Sequence, residues 1–544
     1  MSVLLENNKQ ITTANTDNMG KLFPAFWGKK REHNLPILPG RYKPLNTKIM
    51  IARFLNLFGL IGVLSTVILE TGYSQKIIQQ EVSTEIPINI NGVFPNLTIL
   101  GASDRERSES GIGALIPWAD KLWMIGYVAH IQGSGLGLYE ISDNMTMKKH
   151  PQSVTGTFAN RMIHNPSEQA IIGPHFIDKY GEVRTCKELS KYRLAATMEH
   201  LIDPINKVYF LTMEGLFFEC DVNTLEVGQL FDLVKELDIP ETGYVHFKDG
   251  YTGNGRVVVA NNSYDERDYL GESFAGRLAE WDGKSEKWTI LEKTAFIGIG
   301  GKNSSQYKGK SIYGNPIFAT GWDNKSVILK CYNDRTKEWK RYRLPKGSHS
   351  FDHAWNTEWM RIREAQTERF IMDVHGIFYE LPMMTYGGNI WGIKPISYHL
   401  RIVPDFCFWR GMFVMAGDQT DHGVGQPQSG LLFQNIDDLW SYGKPAGWGA
   451  VWLNDSVKSG EISDPFLMTG FDKKTIHLNN NGENMVEFKI EIDFLGDGEW
   501  NTFKTIKVKA HEYSFYTFPN GYNAHWVRLI VDKSSIVTGQ FMYN

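Results

Sequence analysis

From about Gly111 to Asp455 the hydrophobic positions fall into short β-type runs broken by Gly-containing or polar turns, and the pattern returns every ~40 to 50 residues. Helical periodicity is nearly absent from this stretch. The clearest hairpins are KLWMIGYVAH with GLGLYEIS, QAIIGPHFID with GEVRTC, and KVYFLTMEG with LFFECDV. Four more follow: RVVVANNS with GRLAEWDG, NPIFATGWDN with SVILKCYND, RFIMDVHG with IFYELP, and MFVMAGDQTD with SGLLFQNI. Each pair is read as the second and third strands of a unit. A further apolar segment precedes each hairpin (LAATMEHLID, RIVPDFCFW), and several have one after it (KWTILEK, WKRYRLP). Small four-stranded sheets cannot bury both faces alone, so they stack radially and close on themselves. The prediction is an all-β chain: a seven-bladed β-propeller over residues 76–455.

After Asp455 the runs lengthen and alternate with period two, as in MVEFKIEIDF and TFKTIKVKAHEYSFYTF, with NNNGEN and LGDGEW as turns. Residues 456–544 are therefore read as a small C-terminal antiparallel β-sandwich that packs on the propeller and carries no catalytic group, with glycan binding left open. At the other end, the apolar run FLNLFGLIGVLSTVIL follows Lys48 and Arg53 and is itself followed by ETGYSQ. Its roughly 16 apolar positions are short for a membrane span and suit a signal peptide over 50–75. Met50 stands at the head of this segment, so translation is read as starting there and residues 1–49 as an over-called extension. The mature chain is expected to be exported, with no stable membrane span after cleavage.

Composition narrows the partners. With 57 Lys and Arg against 61 Asp and Glu the net charge is −4, which provides no broad cationic field for phosphates, so nucleic acid is not an expected partner. Cys186, Cys220, Cys331 and Cys407 lack the paired spacing of a metal or redox site and are read as buried fillers; no metal site and no required cofactor are expected. Aromatic residues make up 13% of the chain, and flat rings of this kind pack between strands or stack on sugars.

In a propeller, the entries to the innermost strands and the hairpins between second and third strands open on one face. The hairpin positions supply His130, His175, Asn262 and His375, and the inner-strand entries supply Asn160, Arg161, Arg193, Tyr244, His246 and His353. This set is rich in imidazole and guanidinium and poor in paired carboxylates. Spacing shows no pair of acids at the fixed separation a glycosidase needs, although residues of different blades could still make one. It suits an anionic sugar, since guanidinium grips a carboxylate in a fork and imidazole exchanges protons near neutral pH. Those are the requirements of uronate β-elimination: the carboxylate is neutralised, the C5 proton removed and the C4 oxygen protonated. His130 and His175 are the first candidates for proton transfer, with Tyr244 able to serve both steps on one face. Arg161, with Asn160, is the candidate grip on the carboxylate; Arg193, His246, Asn262, His353 and His375 complete the binding set.

The stretches GIGALIPWADKLWMIGYVAH, NRMIHNPSEQAIIGPHFID, RLAATMEHLIDPINKVYFLTMEGLFFECDV, RVVVANNSYDERD and GRLAEWDG resemble the propeller enzymes of polysaccharide lyase family 27. The resemblance covers about residues 100–450 and lies in whole strands rather than in a compact catalytic signature. It implies an exported L-rhamnose-α-1,4-D-glucuronate lyase that acts on a uronic-acid-containing glycan such as arabinogalactan side chains. An ulvan-type endo-lyase, an α-L-rhamnosidase on the same linkage and a non-catalytic glycan-binding propeller are the alternatives.

Overall fold

A computed structural model describes residues 109–544 except 129–135, 241–244, 264–274, 303–314, 349–359, 367–368, 386–388, 391, 400, 418–425 and 429. The expected extension and signal peptide, residues 1–75, lie outside the described residues. Within the described residues, each hairpin run quoted above contributes strands. Their apolar positions are continuous because each sheet is packed on both faces. In Val327–Asn333 all seven positions are buried, and neighbours face opposite ways: Ile328 packs in one hydrophobic cluster and Leu329 in another. Burying each such side chain contributes about 1.5–3 kcal/mol.

The strands form successive antiparallel meanders. Their first strands are Glu109–Trp118, Arg161–His164, Leu194–Glu199, Phe247–Gly253, Ala295–Gly300, Arg361–Gln366 and Phe406–Trp409. Each of these touches the next, and Phe406–Trp409 touches Glu109–Trp118, so they close a ring about one axis. The short strand Gln426–Gln428 pairs in parallel with Glu109–Gly111, tying the end of the ring to its beginning. This is a β-propeller arrangement. Small residues permit the close approach of adjacent sheets: a Cβ on Gly113 would stand 1.9 Å from the Phe158 carbonyl oxygen.

One hairpin differs from its reading. QAIIGPHFID is not a single strand; it divides into Gln169–Ile172 and His175–Asp178, while GEVRTC supplies the fourth strand, Val183–Thr185. Gly173 adopts φ +56 and Pro174 has no N–H to give a ladder, so the chain turns there. His175 therefore starts a third strand instead of ending a second one.

The C-terminal strands make two sheets. One has the order Gly447–Val457, Ser535–Tyr543, Lys474–Asn480, Glu512–Thr517. The other, with Phe466–Leu467, Trp526–Val531, Val486–Asp493 and Trp500–Val508, continues the propeller sheet of Glu338–Leu344 through a parallel bridge between Arg343 and Phe466. Burial in Lys474–Asn480 alternates strictly, as expected for a sheet with one wet face. The reading starts the C-terminal sandwich at residue 456. Gly447–Val457 runs across that position, and the hydrophobic cores join, with the Tyr342 and Trp526 rings 4.7 Å apart.

Candidate functional site

Inside the ring lies a cavity of about 440 Å³, lined by the first strands that contain Arg161, Thr197, Asp249, Ile299 and Arg363. Asn160 and Arg161 both reach it, from the entry of their strand. The Asn160 amide donates to Gly173 O at 2.9 Å and Thr197 Oγ1 at 2.7 Å, while its Oδ1 is buried without a partner.

Arg161 does not present its fork to a ligand. Nε donates to Asp405 Oδ2 at 2.6 Å, and Nη2 to Asp405 Oδ1 at 3.3 Å and Phe406 O at 3.2 Å. The side chains are 4% and 0% exposed. The expected carboxylate grip is thus corrected: the guanidinium is occupied by a carboxylate of the chain itself. Asp405 also accepts from Leu115 N at 2.8 Å and Arg363 Nε at 3.0 Å. Burial pushes the Asp405 carboxyl up, yet Arg161 and Arg363 overcome it and hold the group below the usual range. Asp249, which takes Ile299 N at 3.0 Å, is raised because burial outweighs the attraction of Arg363 and Arg361. Arg361 donates to Pro404 O and Met360 O, and burial, with Arg363 nearby, brings it down to about 10. One aspartate thereby joins four sheets at the axis.

His175 is likewise corrected. It is fully buried, Nδ1 meets Thr185 Oγ1 at 2.9 Å, and burial, aided by His150, pushes its pKa down to about 3. This sealed neutral imidazole lies near His150 and does not line the cavity that Arg161 reaches. His375 is also buried: it takes φ 47 in the turn after Arg369–Val374, and its ring meets Trp322 edge-on at 5.7 Å. His130, Tyr244 and His353 lie outside the described residues.

What the structure does bring together is a rim between the third and fourth sheets. Met213 N donates to Arg193 O, Phe247 N to Met213 O, and Asn262 N to His246 O, at 2.8, 3.0 and 2.9 Å. His246 N donates to Ser263 Oγ at 3.2 Å. These bonds fix Arg193, Glu214, His246 and Asn262 at the same end of adjacent sheets. Arg193 Nε donates to Glu214 Oε1 at 2.6 Å, with the arginine side chain 22% exposed. The second Glu214 oxygen and Asn262 Oδ1 are buried without partners. Sequence reading missed Asp405, Arg363, Arg361 and Asp249 as a set. Their signal was a charge inside an apolar strand (VPDFCFW, MRIREA, FKDGY), which identifies a buried ion but not its partner. Among the described residues no group of three or more His, Cys, Asp or Glu is placed to hold a metal ion.

No family model and no curated protein matches the chain. Similar solved structures include U3-55K, 8% identical, covering 63% of this chain and 100% of that one with a TM-score of 0.36. The RRP9 WD40 repeats are 8% identical over 62% and 99%, at 0.36. The β-propeller domain of Cps50 (Swd1) from Myceliophteria thermophila is 7% identical over 64% and 100%, at 0.35. Likeness at this level carries no argument about what the chain does.

Proposed function

We propose that this chain is a seven-bladed propeller lyase that cleaves the bond between L-rhamnose and D-glucuronate by β-elimination, with the C-terminal sheets forming an appended sandwich. The observation that carries the reading is the rim at the third and fourth sheets, where Arg193, His246 and Asn262 are fixed together by interstrand hydrogen bonds. Glu214 engages Arg193 through Nε, so the Nη edge is the fork for the uronate carboxylate. With that charge neutralised, a base takes the C5 proton, the C–H electrons form the C4–C5 double bond, the C4–O bond breaks, and the leaving oxygen takes a proton. His246 and Tyr244, two residues apart in the sequence, are the proton-transfer groups in this reading. Asn262 is buried and supports the rim by donating its N–H to His246 O at 2.9 Å. No step is routed through a metal or cofactor. Export through the segment 50–75 belongs to the same proposal, and no helix among the described residues is long and apolar enough to cross a membrane.

The test is incubation of the full chain with a rhamnose-capped glucuronide. Elimination gives ultraviolet absorbance from the double bond conjugated to the carboxylate. Release of rhamnose without that absorbance identifies a rhamnosidase, and binding without release identifies a glycan-binding propeller; either result overturns the proposal.

A further inference from the structure

The wet face of the C-terminal sheet has an uncommon composition. Strand register sets three rows across it: Tyr513, Asn479 and Thr538; Phe515, His477 and Gln540; Thr517, Thr475 and Met542. None of the nine is Asp, Glu, Lys or Arg, although 22% of the chain is. A soluble sheet face ordinarily carries charges, and exposed edge strands carry them above all. Here the edge strand Glu512–Thr517 instead presents Tyr513 at 56% exposure and Phe515 at 60%.

The rings are ordered. Tyr513 and Phe515 lie 6.2 Å apart with planes 21° from parallel, and His477 lies 6.0 Å from Tyr513 at the same angle. The hydrogen bond between His477 Nδ1 and Tyr513 Oη, 2.7 Å, holds two of the three rings in register. Thr475 and Thr517 join their hydroxyls at 3.2 Å, and Asn479 is braced by Asn481 at 2.8 Å. Large apolar rings held open to water lose hydrophobic stabilisation, so their fixed orientation points to an occupant. The occupant must offer flat C–H faces to the rings and hydroxyls to the amide and threonine rows, and it needs no charge. A neutral polysaccharide meets all three conditions; a charged peptide or a nucleic acid has no counter-charge to meet on this face.

We infer that the face formed by Tyr513, Phe515 and His477, with Asn479 and Gln540 beside them, is a binding platform for a neutral polysaccharide chain. It does not depend on the lyase reading: it is a separate surface on a separate sheet, read by binding and not by turnover. Sugar rings stack on Tyr513 and Phe515, and the Gln540 and Asn479 amides take their hydroxyls. Its effect on a glycan-active propeller is to raise the local concentration of polymer around the ring.

Affinity gel electrophoresis of the full chain, with arabinan, galactan, arabinoxylan or laminarin cast in the gel and polygalacturonate as the charged control, tests the inference. Retardation by at least one neutral polymer is expected. Tyr513→Ala and Phe515→Ala should each weaken it about two- to tenfold, the range aromatic contacts give, and the double variant should abolish it. Both positions are exposed, so the variants should melt with the wild type. An Arg193→Ala variant should be retarded as the wild type is, which separates this site from the rim. Absence of retardation by all four neutral polymers, equal retardation of the double variant, or a concentration-dependent dimer that Tyr513→Ala dissolves would each overturn it, the last by assigning the face to a second copy of the chain.

Discussion

Asp405→Asn tests whether one buried carboxylate closes the ring. The substitution keeps the shape but removes the charge that faces Arg161 at 2.6 Å and Arg363 at 3.0 Å, and puts an N–H donor toward guanidinium donors. Both arginine side chains are sealed, at 4% and 8% exposure, so water cannot replace the lost partner. Breaking a buried pair by removing one member costs about 3–5 kcal/mol, and here two cations are left behind, so the upper half of that range is expected. The assay is equilibrium unfolding in urea, followed by tryptophan fluorescence, with Glu168→Gln as control. Glu168 pairs with Lys179 at 2.6 Å, but both side chains are about half exposed, so the control should unfold at the wild-type midpoint. The same carboxylate sets a pH dependence. Its folded pKa lies below the unfolded value near 3.9, so its stabilisation is present above that value and is lost as the pH falls through the folded pKa. Asn at this position should remove that acid-side slope. An Asp405→Asn midpoint equal to that of Glu168→Gln would refute the argument that the axial network holds the ring.

Arg161→Ala should lower the melting temperature together with any activity, because Arg161 serves the same network; loss of turnover with unchanged melting would restore it as a substrate group. At the rim, His246→Ala should reduce unsaturated-product formation by at least about 100-fold with an unchanged far-ultraviolet circular dichroism spectrum, and Arg193→Lys should fail to rescue Arg193→Ala because the fork is absent. His175→Ala is expected to destabilise by opening a cavity between sheets while the specific rate of the folded fraction stays at the wild-type level, read by active-site-normalised kinetics. Gly113→Ala, whose Cβ meets the Phe158 carbonyl, should cost about 1–3 kcal/mol or more in the same urea assay, since the obstacle is backbone and cannot rotate away.

The strands, their hairpin pairing and the radial repeat were legible because each depends on local pattern: continuous apolar runs for strands packed on both faces, alternation for the C-terminal sheets, and Gly or polar turns between them. The one misplaced hairpin, Gly173–Pro174, shows how the pattern fails locally, since Ile172 before the turn and Phe176 shortly after it carry the apolar run across the turn and hide it. The site was legible only as an inventory. Arg161, Arg193, His175 and His246 have the same standing in the sequence, as polar residues at strand ends, and nothing local tells which will be sealed and which left at the rim. That was decided across distance. Asp405 lies 244 residues from Arg161 and 42 from Arg363, and only closure of the ring brings them within hydrogen-bond reach, where the desolvation of each charge makes the others its obligatory partners. The platform on Tyr513 and Phe515 has the same origin: alternation fixed the side of the strand, but pairing with Lys474–Asn480 and Ser535–Tyr543 assembled uncharged positions from three strands into one face. Sequence alone therefore determined which residues could be strands and which could carry chemistry, because period and residue type are local properties. Tertiary structure decided which charges cancel, which imidazole is buried and which rings stay in water, because those depend on what the fold places opposite them.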